Sequence, residues 1–389
     1  MPPPLPVYLD NNSTTRVDPR VVAAMLPVFE SVYGNAASTS HSFGWAAAEL
    51  VEESLATIAG LVGAEPREIV ITSGATEAIN LAIKGVAPGL EKRGRHCIAS
   101  LAEHKAGIDP VKRLARQGWD VTWLVPDGCG MISPEQVIDA VRPDTVLVSV
   151  MLANNETGTI SPIGAISKVC QGKSIVLHTD ATQAVGKIPV DVNELGADLV
   201  SFSAHKFYGP KGIGGLFVRR RERPIRLIAQ IEGGGHQKGL RSGTLPVPLI
   251  VGMARALAVS IESQPQELKH LQELRNMLEQ LVLQNLEGVT VNGSPEHRLP
   301  NTSSLTFDGV AGEALMLAMK DVAVSSGSAC SAADPEPSHV LRAIGLTDDM
   351  ARSTLRFSLG RFNTADEVEF AAGRVVETVK NLRNLRNLV

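Results

Sequence analysis

SIVLHTDATQ (Ser174–Gln183) and LVSFSAHK (Leu199–Lys206) are the two stretches that decide the fold. Each holds a short apolar run followed by a group able to do chemistry: Asp180 after the first, Lys206 after the second. Runs that are apolar on both faces read as strands of a buried, mainly parallel sheet. Working outward, the same pattern gives strand candidates at Ile69–Thr72, His96–Ser100, Val121–Val125, Thr145–Met151, Ser174–His178, Leu199–Ser203 and Gly215–Val218, with helical spacing between them at Ala46–Leu61 and Glu77–Val86. This alternation predicts an α/β layered domain with a seven-stranded sheet flanked by helices.

The character of the chain changes near Ser263–Pro265. Leu268, Leu271, Leu274, Leu278 and Leu281 then mark an amphipathic helix, better read as packing in a second unit than as a partner surface. Thr364 and Glu367 form a capping box ahead of a final helix marked by Val368, Val375, Val379 and Leu382. The expected division is a large domain over 15–262 and a smaller α/β domain made of 1–14 and 263–389. The segment 325–337 is rich in small, polar and helix-breaking residues, so it is expected to be a mobile loop, and it carries Cys330.

The 389 residues hold 37 basic and 41 acidic side chains, a net charge of -4. That balance, with aromatics at 4%, gives no basic stacking surface for nucleic acid. No apolar run approaches the ~20 residues needed to span a bilayer, and the Pro-rich start lacks the regions of a signal peptide. A cytoplasmic protein is expected. Cys97, Cys129, Cys170 and Cys330 stand far apart with no C-x-x-C pair, so no metal site or disulfide framework is indicated. Cys97 and Cys170 read as small buried hydrophobes, and Cys129 as a turn residue.

The chemistry lies at strand ends, where open α/β sheets bind ligands. Ser73-Gly74-Ala75-Thr76 is a small-residue turn before a helix near Glu77, which presents backbone N–H groups to a phosphate. Alone, it is equally well a plain structural turn, just as Asp180 alone is equally well a helix cap. Lys206 directly after a buried strand is more unusual and suits an amine that forms a covalent link to an aldehyde. In this order the three supply what pyridoxal phosphate requires: a phosphate cradle, a carboxylate for the ring nitrogen and a lysine for the aldehyde.

With those residues in view, the sequence resembles the NifS/IscS-type cysteine desulfurases, of the class-V aminotransferase group with PLP-dependent transferase fold type I. The motifs run through nearly the whole chain: YLDNNSTT (Tyr8–Thr15), TSGATEAIN (Thr72–Asn80), EHKA (Glu103–Ala106), ANNETGTISPIG (Ala153–Gly164), HTDATQAVGK (His178–Lys187), SFSAHKFYGPKGIG (Ser201–Gly214), RSGT (Arg241–Thr244), SSGSAC (Ser325–Cys330) and RFSLGR (Arg356–Arg361). The resemblance implies conversion of L-cysteine to L-alanine, with the sulfur carried as a persulfide on Cys330. It implies that Lys206 bonds the cofactor and moves the Cα proton, that Asp180 meets the ring nitrogen and Gln183 the ring hydroxyl, and that His104 stacks on the ring and relays protons. Thr76, the amide of Ala75, Ser203 and His205 would bind the phosphate, and Thr244 the phosphate of a neighbouring subunit, hence a homodimer. Arg356 would grip the substrate carboxylate, with Asn155 between it and the ring. Expected partners are sulfur acceptors such as an iron–sulfur scaffold or a tRNA-thiolation carrier, with no direct nucleic-acid contact and no membrane.

The chain departs from the family at Ser13, where alanine is usual, and at Pro335 in the cysteine loop. GGGHQKGLRSGT (Gly233–Thr244) resembles the branch with the longer cysteine loop, and the end at Val389 omits the tail many members use to dock a scaffold. Rival readings are a selenocysteine lyase or another class-V aminotransferase. A rival of another kind is a sulfur-relay or scaffold protein without catalysis, which would have no use for Lys206, Asp180 and Cys330 together.

Overall fold

The computed structural model describes residues 3–326 and 336–386. Its centre is a seven-stranded sheet in the order Ile69–Thr72, Gly214–Val218, Leu199–Ser203, Val176–Asp180, Thr145–Ser149, His96–Ser100, Asp120–Leu124. Gly214–Val218 runs antiparallel to both neighbours, and the other pairs are parallel. Because side chains alternate across a strand, neighbours such as Leu147 and Val148, Leu199 and Val200, or Leu216 and Phe217 enter different cores, one on each face of the sheet. This is why the strands read as continuous apolar runs.

Four strand positions differ from the sequence expectation, one of them only by the added first residue Gly214. The strand expected at Ser174–His178 is Val176–Asp180, because Ser174 adopts φ 57°, a left-handed turn that no strand residue takes. The shift makes Asp180 the last residue of its strand. The expected Thr145–Met151 ends at Ser149, and the Met151 N–H is taken by the Glu103 carboxylate at 2.6 Å rather than by a neighbouring strand. The edge strand is Asp120–Leu124, one residue earlier than expected.

A second core gathers Leu271, Leu274 and Leu278 with Leu305, Phe307, Leu355, Phe357, Val368 and Val375. Its antiparallel sheet has the order Ser325–Ser326, Thr354–Ser358, Thr302–Phe307, Val289–Asn292. Val7–Tyr8 pairs with Val322–Ala323, so the N-terminal segment joins this core. The expected capping box is present: the Thr364 N–H meets Glu367 at 3.1 Å and the Glu367 N–H meets the Thr364 hydroxyl at 3.3 Å, ahead of the helix Ala365–Arg386. One helix, Val247–Asn285, serves both cores. Its first half packs on the large sheet and its second half on the small one, and the change in sequence character at Ser263–Pro265 falls inside it. No helix among the described residues is long and apolar enough to cross a membrane.

Arg361 joins the two cores. Its guanidinium meets Asp18 at 2.7 Å and Ser260 at 3.1 Å, bonds Glu267, and lies over the Tyr208 ring at 4.1 Å. Asp18 is buried, and its carboxyl is held well below the usual range by its bonds to Arg20 and Arg361. Without Arg361, Asp18 keeps Arg20 but Glu267 loses its ion-pair partner, and loss of one partner of a buried pair costs about 3–5 kcal/mol. Arg361→Met is therefore expected to lower the unfolding free energy by about that amount, read as a shift of the urea midpoint. A loss below about 1 kcal/mol, the range of an exposed pair, would contradict the joining role.

Candidate active site

The carboxyl ends of several strands and the N-termini of the helices Ala75–Leu90 and Lys105–Arg116 open onto a single cleft of about 590 Å³, within the size of small-ligand sites. Ala75, Thr76, His104, Asn155, Asp180, Gln183, Ser203, His205, Lys206 and Arg356 all line it. The fold thus brings together residues up to several strands apart. Thr244 is exposed and is not among the lining residues. Cys330 lies outside the described residues.

The helix Ala75–Leu90 begins after Gly74, whose φ of 150° lies outside what a side-chain-bearing residue takes readily. No side chain caps this helix, so its first-turn amides face the cleft available for an anion. The loop behind it is fixed: Arg241 grips Glu77 at 2.8 and 3.2 Å, and Glu77 accepts the Ser73 N–H at 2.7 Å. Burial pushes the Glu77 carboxyl up, but these bonds outweigh it and hold it low.

Lys206 sits on the one-turn helix Ala204–Lys206, directly after the strand Leu199–Ser203. Its ammonium donates to the carbonyls of Asn12 at 2.5 Å and Ser13 at 2.6 Å. His205 bonds the Thr14 hydroxyl at 3.1 Å, and burial with the adjacent Lys206 lowers its pKa to about 4, so it is neutral. Asp180 is buried and accepts the Thr182 N–H at 2.9 Å. His104 is the N-cap of the helix Lys105–Arg116, and its Nδ1 accepts the Ala106 N–H at 3.0 Å. That bond leaves the proton of the neutral ring on Nε2. Burial holds the His104 pKa below its ordinary value, against the pull of Asp180 and with the help of Lys206.

Arg356 is buried. Its Nη1 donates to the Asn155 carbonyl at 3.0 Å, and its Nη2 donates to Asp10 and to the Ser13 hydroxyl, both at 2.7 Å. The serine at position 13 therefore adds a bond to the arginine that alanine would not make. Three buried polar atoms of the cleft lining make no hydrogen bond among the described residues: Arg356 Nε, Asn155 Oδ1 and Thr182 Oγ1. Buried polar groups are normally paired, so these mark a site built for a polar ligand. His178, by contrast, is structural: it bonds Ser149 at 2.9 Å and Ser201 at 3.0 Å across the sheet, and burial lowers its pKa to about 3. Cys97 and Cys170 are buried thiols pushed up to about 12, as their reading as core residues requires.

The match to known proteins follows this geometry. The family model for class-V aminotransferases covers residues 7–370. The chain belongs to this family, among the cysteine desulfurases of NifS/IscS type. It is 51% identical to the cysteine desulfurase IscS of Anaeromyxobacter dehalogenans over 99% of this chain and 95% of that one. With IscS of Proteus mirabilis it also shares 51%, over the same fractions. A solved NifS-like protein superposes with a TM-score of 0.88 at 37% identity, covering 99% of this chain and 100% of the other. SspA, solved in complex with cysteine, gives 0.80 at 37% identity, over 92% and 99%. Members of this family are pyridoxal-phosphate enzymes, and so is this chain. The cleft fits that cofactor: an uncapped helix end for its phosphate, a buried carboxylate, and a lysine at a strand end.

Sequence reasoning passed over several residues around the site. Asn12 lines the cleft and bonds both cores: its side-chain N–H groups reach Thr302 at 2.9 Å and the Asn155 carbonyl at 3.2 Å. Glu103 is buried, and burial with the nearby Asp180 raises its pKa well above the usual carboxyl range, against the pull of the Met151 N–H. Glu156, next to Asn155, accepts the Ser338 hydroxyl at 2.5 Å, and burial raises its pKa to about 7 in spite of Ser338 and Arg356. None has a local pattern that separates it from an ordinary polar residue. The motifs Tyr8–Thr15, Glu103–Ala106 and Ala153–Gly164 were the available signal.

Glu156 makes a prediction about pH. A carboxyl whose folded pKa is raised holds its proton more tightly in the folded than in the unfolded state. The associated stability is full below the ordinary value of 4.5 and is lost as pH rises through 7, by about 3 kcal/mol in all. Glu156→Gln removes this titration. The unfolding free energy of the variant relative to the parent is expected to rise by about 3 kcal/mol between about pH 5 and about pH 8. A difference that stays flat with pH would contradict the assignment.

Proposed function

We propose that the chain takes sulfur from L-cysteine, releases L-alanine and holds the sulfur as a persulfide on Cys330. The observation that carries this reading is the meeting of Lys206, Asp180 and Arg356 in one cleft: an amine, an anion and a buried guanidinium with an unpaired Nε. Around the cofactor, Lys206 would hold the aldehyde carbon, Asp180 the ring nitrogen and Gln183 the ring hydroxyl. The amide of Ala75 with Thr76, Ser203 and His205 would hold the phosphate, and His104 the ring face. Pyridoxal phosphate, when bound, supplies an electron sink for the pair left at the substrate Cα. We read 15–262 as the unit holding the cofactor, and 1–14 with 263–389 as the smaller unit carrying Arg356 and Cys330.

The residues of the chain divide the remaining work. Arg356 binds the substrate carboxylate, and Asn155 lies beside it with an unpaired Oδ1. Lys206 removes the Cα proton and returns protons to the carbon skeleton. His104, neutral and with its proton on Nε2, relays a proton next to it. The thiolate of Cys330 attacks the substrate sulfur: an S–S bond forms, the Cβ–S bond breaks, and its electron pair stays on carbon. A proton then completes the methyl group of alanine, and Cys330 keeps an S–SH group. With an ordinary thiol pKa only ~3% is thiolate at pH 7, a cost of ~2 kcal/mol that a nearby positive charge can offset.

Thr244, exposed and away from the cleft of its own chain, supports a homodimer in which it reaches the phosphate of the neighbouring subunit. Exposed Leu26, Phe29, Tyr33, Phe43 and Trp45 offer apolar area for such an association. Delivery of the sulfur goes to acceptor proteins, an iron–sulfur scaffold foremost, with a tRNA-thiolation carrier as a second.

Cys330→Ala is expected to keep the visible colour of the bound cofactor and to form neither enzyme persulfide nor one alanine per cysteine. Normal alanine release by that variant would remove the desulfurase reading. Lys206→Ala is expected to lose turnover, and borohydride is expected no longer to fix cofactor to the chain. Fixation at another lysine would reassign the amine.

A further inference from the structure

Lys187 is a half-buried lysine, its amine turned inward, that the reaction outlined above does not use. It follows Gln183 by four residues across a turn that Gly186 bends with a φ of 77°, and the turn brings the two side chains together. Its Nζ donates to Gln183 Oε1 at 2.7 Å and to Asn12 Oδ1 at 2.9 Å. Both partners are neutral carboxamides, an unusual setting for a lysine. Burial lowers its pKa well below the ordinary value, and the charges of Lys206 and Arg356 lower it further. Charged or neutral, the amine carries at least two N–H donors, enough for the two oxygens that it faces.

The consequence falls on Gln183. A carboxamide has one accepting end and one donating end. Lys187 takes the oxygen, and one Gln183 N–H goes to the Asn12 carbonyl at 2.9 Å. Gln183 lines the cleft, and with its oxygen turned to Lys187 the group left facing a ligand there is the second N–H. We propose that Lys187 is a positioning residue that fixes the Gln183 carboxamide, with its N–H turned to the cofactor's ring hydroxyl oxygen. The proposal rests on the reading that Gln183 meets that oxygen. A donor at this oxygen favours its anionic form and lowers the pH at which the neighbouring nitrogen, bonded to the aldehyde carbon, gives up its proton.

The test is a pH titration of the visible absorbance of the holoenzyme, which reads that proton without any turnover. Lys187→Met is expected to raise the midpoint by about one pH unit, the shift for a weakening of about 1.4 kcal/mol. Lys187→Gln, which keeps an N–H donor for Gln183, is expected to return it close to the parent and covers the case in which Lys187→Met folds poorly. Gln183→Leu is expected to raise the midpoint on its own, and adding Lys187→Met to it is expected to give no further shift. If Gln183→Leu shifts the midpoint and neither Lys187 variant does, the positioning role is wrong while the Gln183 reading stands. Additive shifts mean that Lys187 acts by charge alone and overturn the proposal. An unmoved midpoint in Gln183→Leu overturns the Gln183 reading, and the proposal with it.

Discussion

One carbonyl oxygen holds the site together. The Asn12 C=O accepts Lys206 Nζ at 2.5 Å and Gln183 Nε2 at 2.9 Å, while the backbone N–H of Asn12 donates to Ser358 in the smaller sheet at 2.9 Å. Its side chain bonds Thr302, Asn301 and Lys187. The lysine of the large core is thus positioned by an N-terminal segment that belongs by pairing to the small core. A shift of one core against the other moves the acceptor of Lys206 directly. The joint made by Arg361, Asp18 and Glu267 bears on chemistry for this reason, although none of the three lines the cleft.

The charges around the cleft are unequal. Lys206, Lys211 and Arg356 line it and Arg241 stands behind it, against Asp180 and two carboxylates already engaged, Glu77 by Arg241 and Asp10 by Arg356. His205 adds no charge, since burial keeps it neutral. A cleft with surplus positive charge and low-dielectric walls favours anions. A phosphate at the helix end and a carboxylate at Arg356 fit that surplus. Asp180 is kept apart for a different task, because one buried anion among cations suits a protonated ring nitrogen. Burial and the neighbouring Asp180 both push the Glu103 carboxyl up, as expected for two buried carboxyls in proximity.

Much of this was legible in the sequence where function coincides with a local pattern. Buried parallel strands write themselves as apolar runs, and the groups at their ends, Asp180 and Lys206, stand out by contrast. The capping box at Thr364 and Glu367 is local in the same sense. Asn12 was not legible, because its partners lie 143 to 346 residues away and an asparagine after a short strand looks like any turn residue. Lys187 was hidden by its type, since most lysines are solvated and only the spacing to Gln183 distinguished it. The strand ends slipped for a backbone reason: a left-handed Ser174 moves a start by two residues without changing the apolar pattern.

Residues 327–335 lie outside the described structure, yet the chain on either side is tied beside the cleft. Ser325 pairs with Arg356 in antiparallel register, so one flank lies on the strand that carries Arg356. On the other flank, Ser338 bonds Glu156 and caps the helix His339–Ala343, and His339 Nε2 bonds the Glu103 carbonyl at 2.8 Å. Glu103 precedes His104, and Glu156 follows Asn155, whose carbonyl holds Arg356. The two flanks therefore end on the neighbours of the groups assigned to ring stacking and carboxylate binding. Because the Glu156 carboxyl has a pKa of about 7, its charge changes in the pH range where a thiol of ordinary pKa begins to ionise. The anchor of one flank and the reactivity of Cys330 are then subject to the same variable, and a pH profile for sulfur transfer contains both.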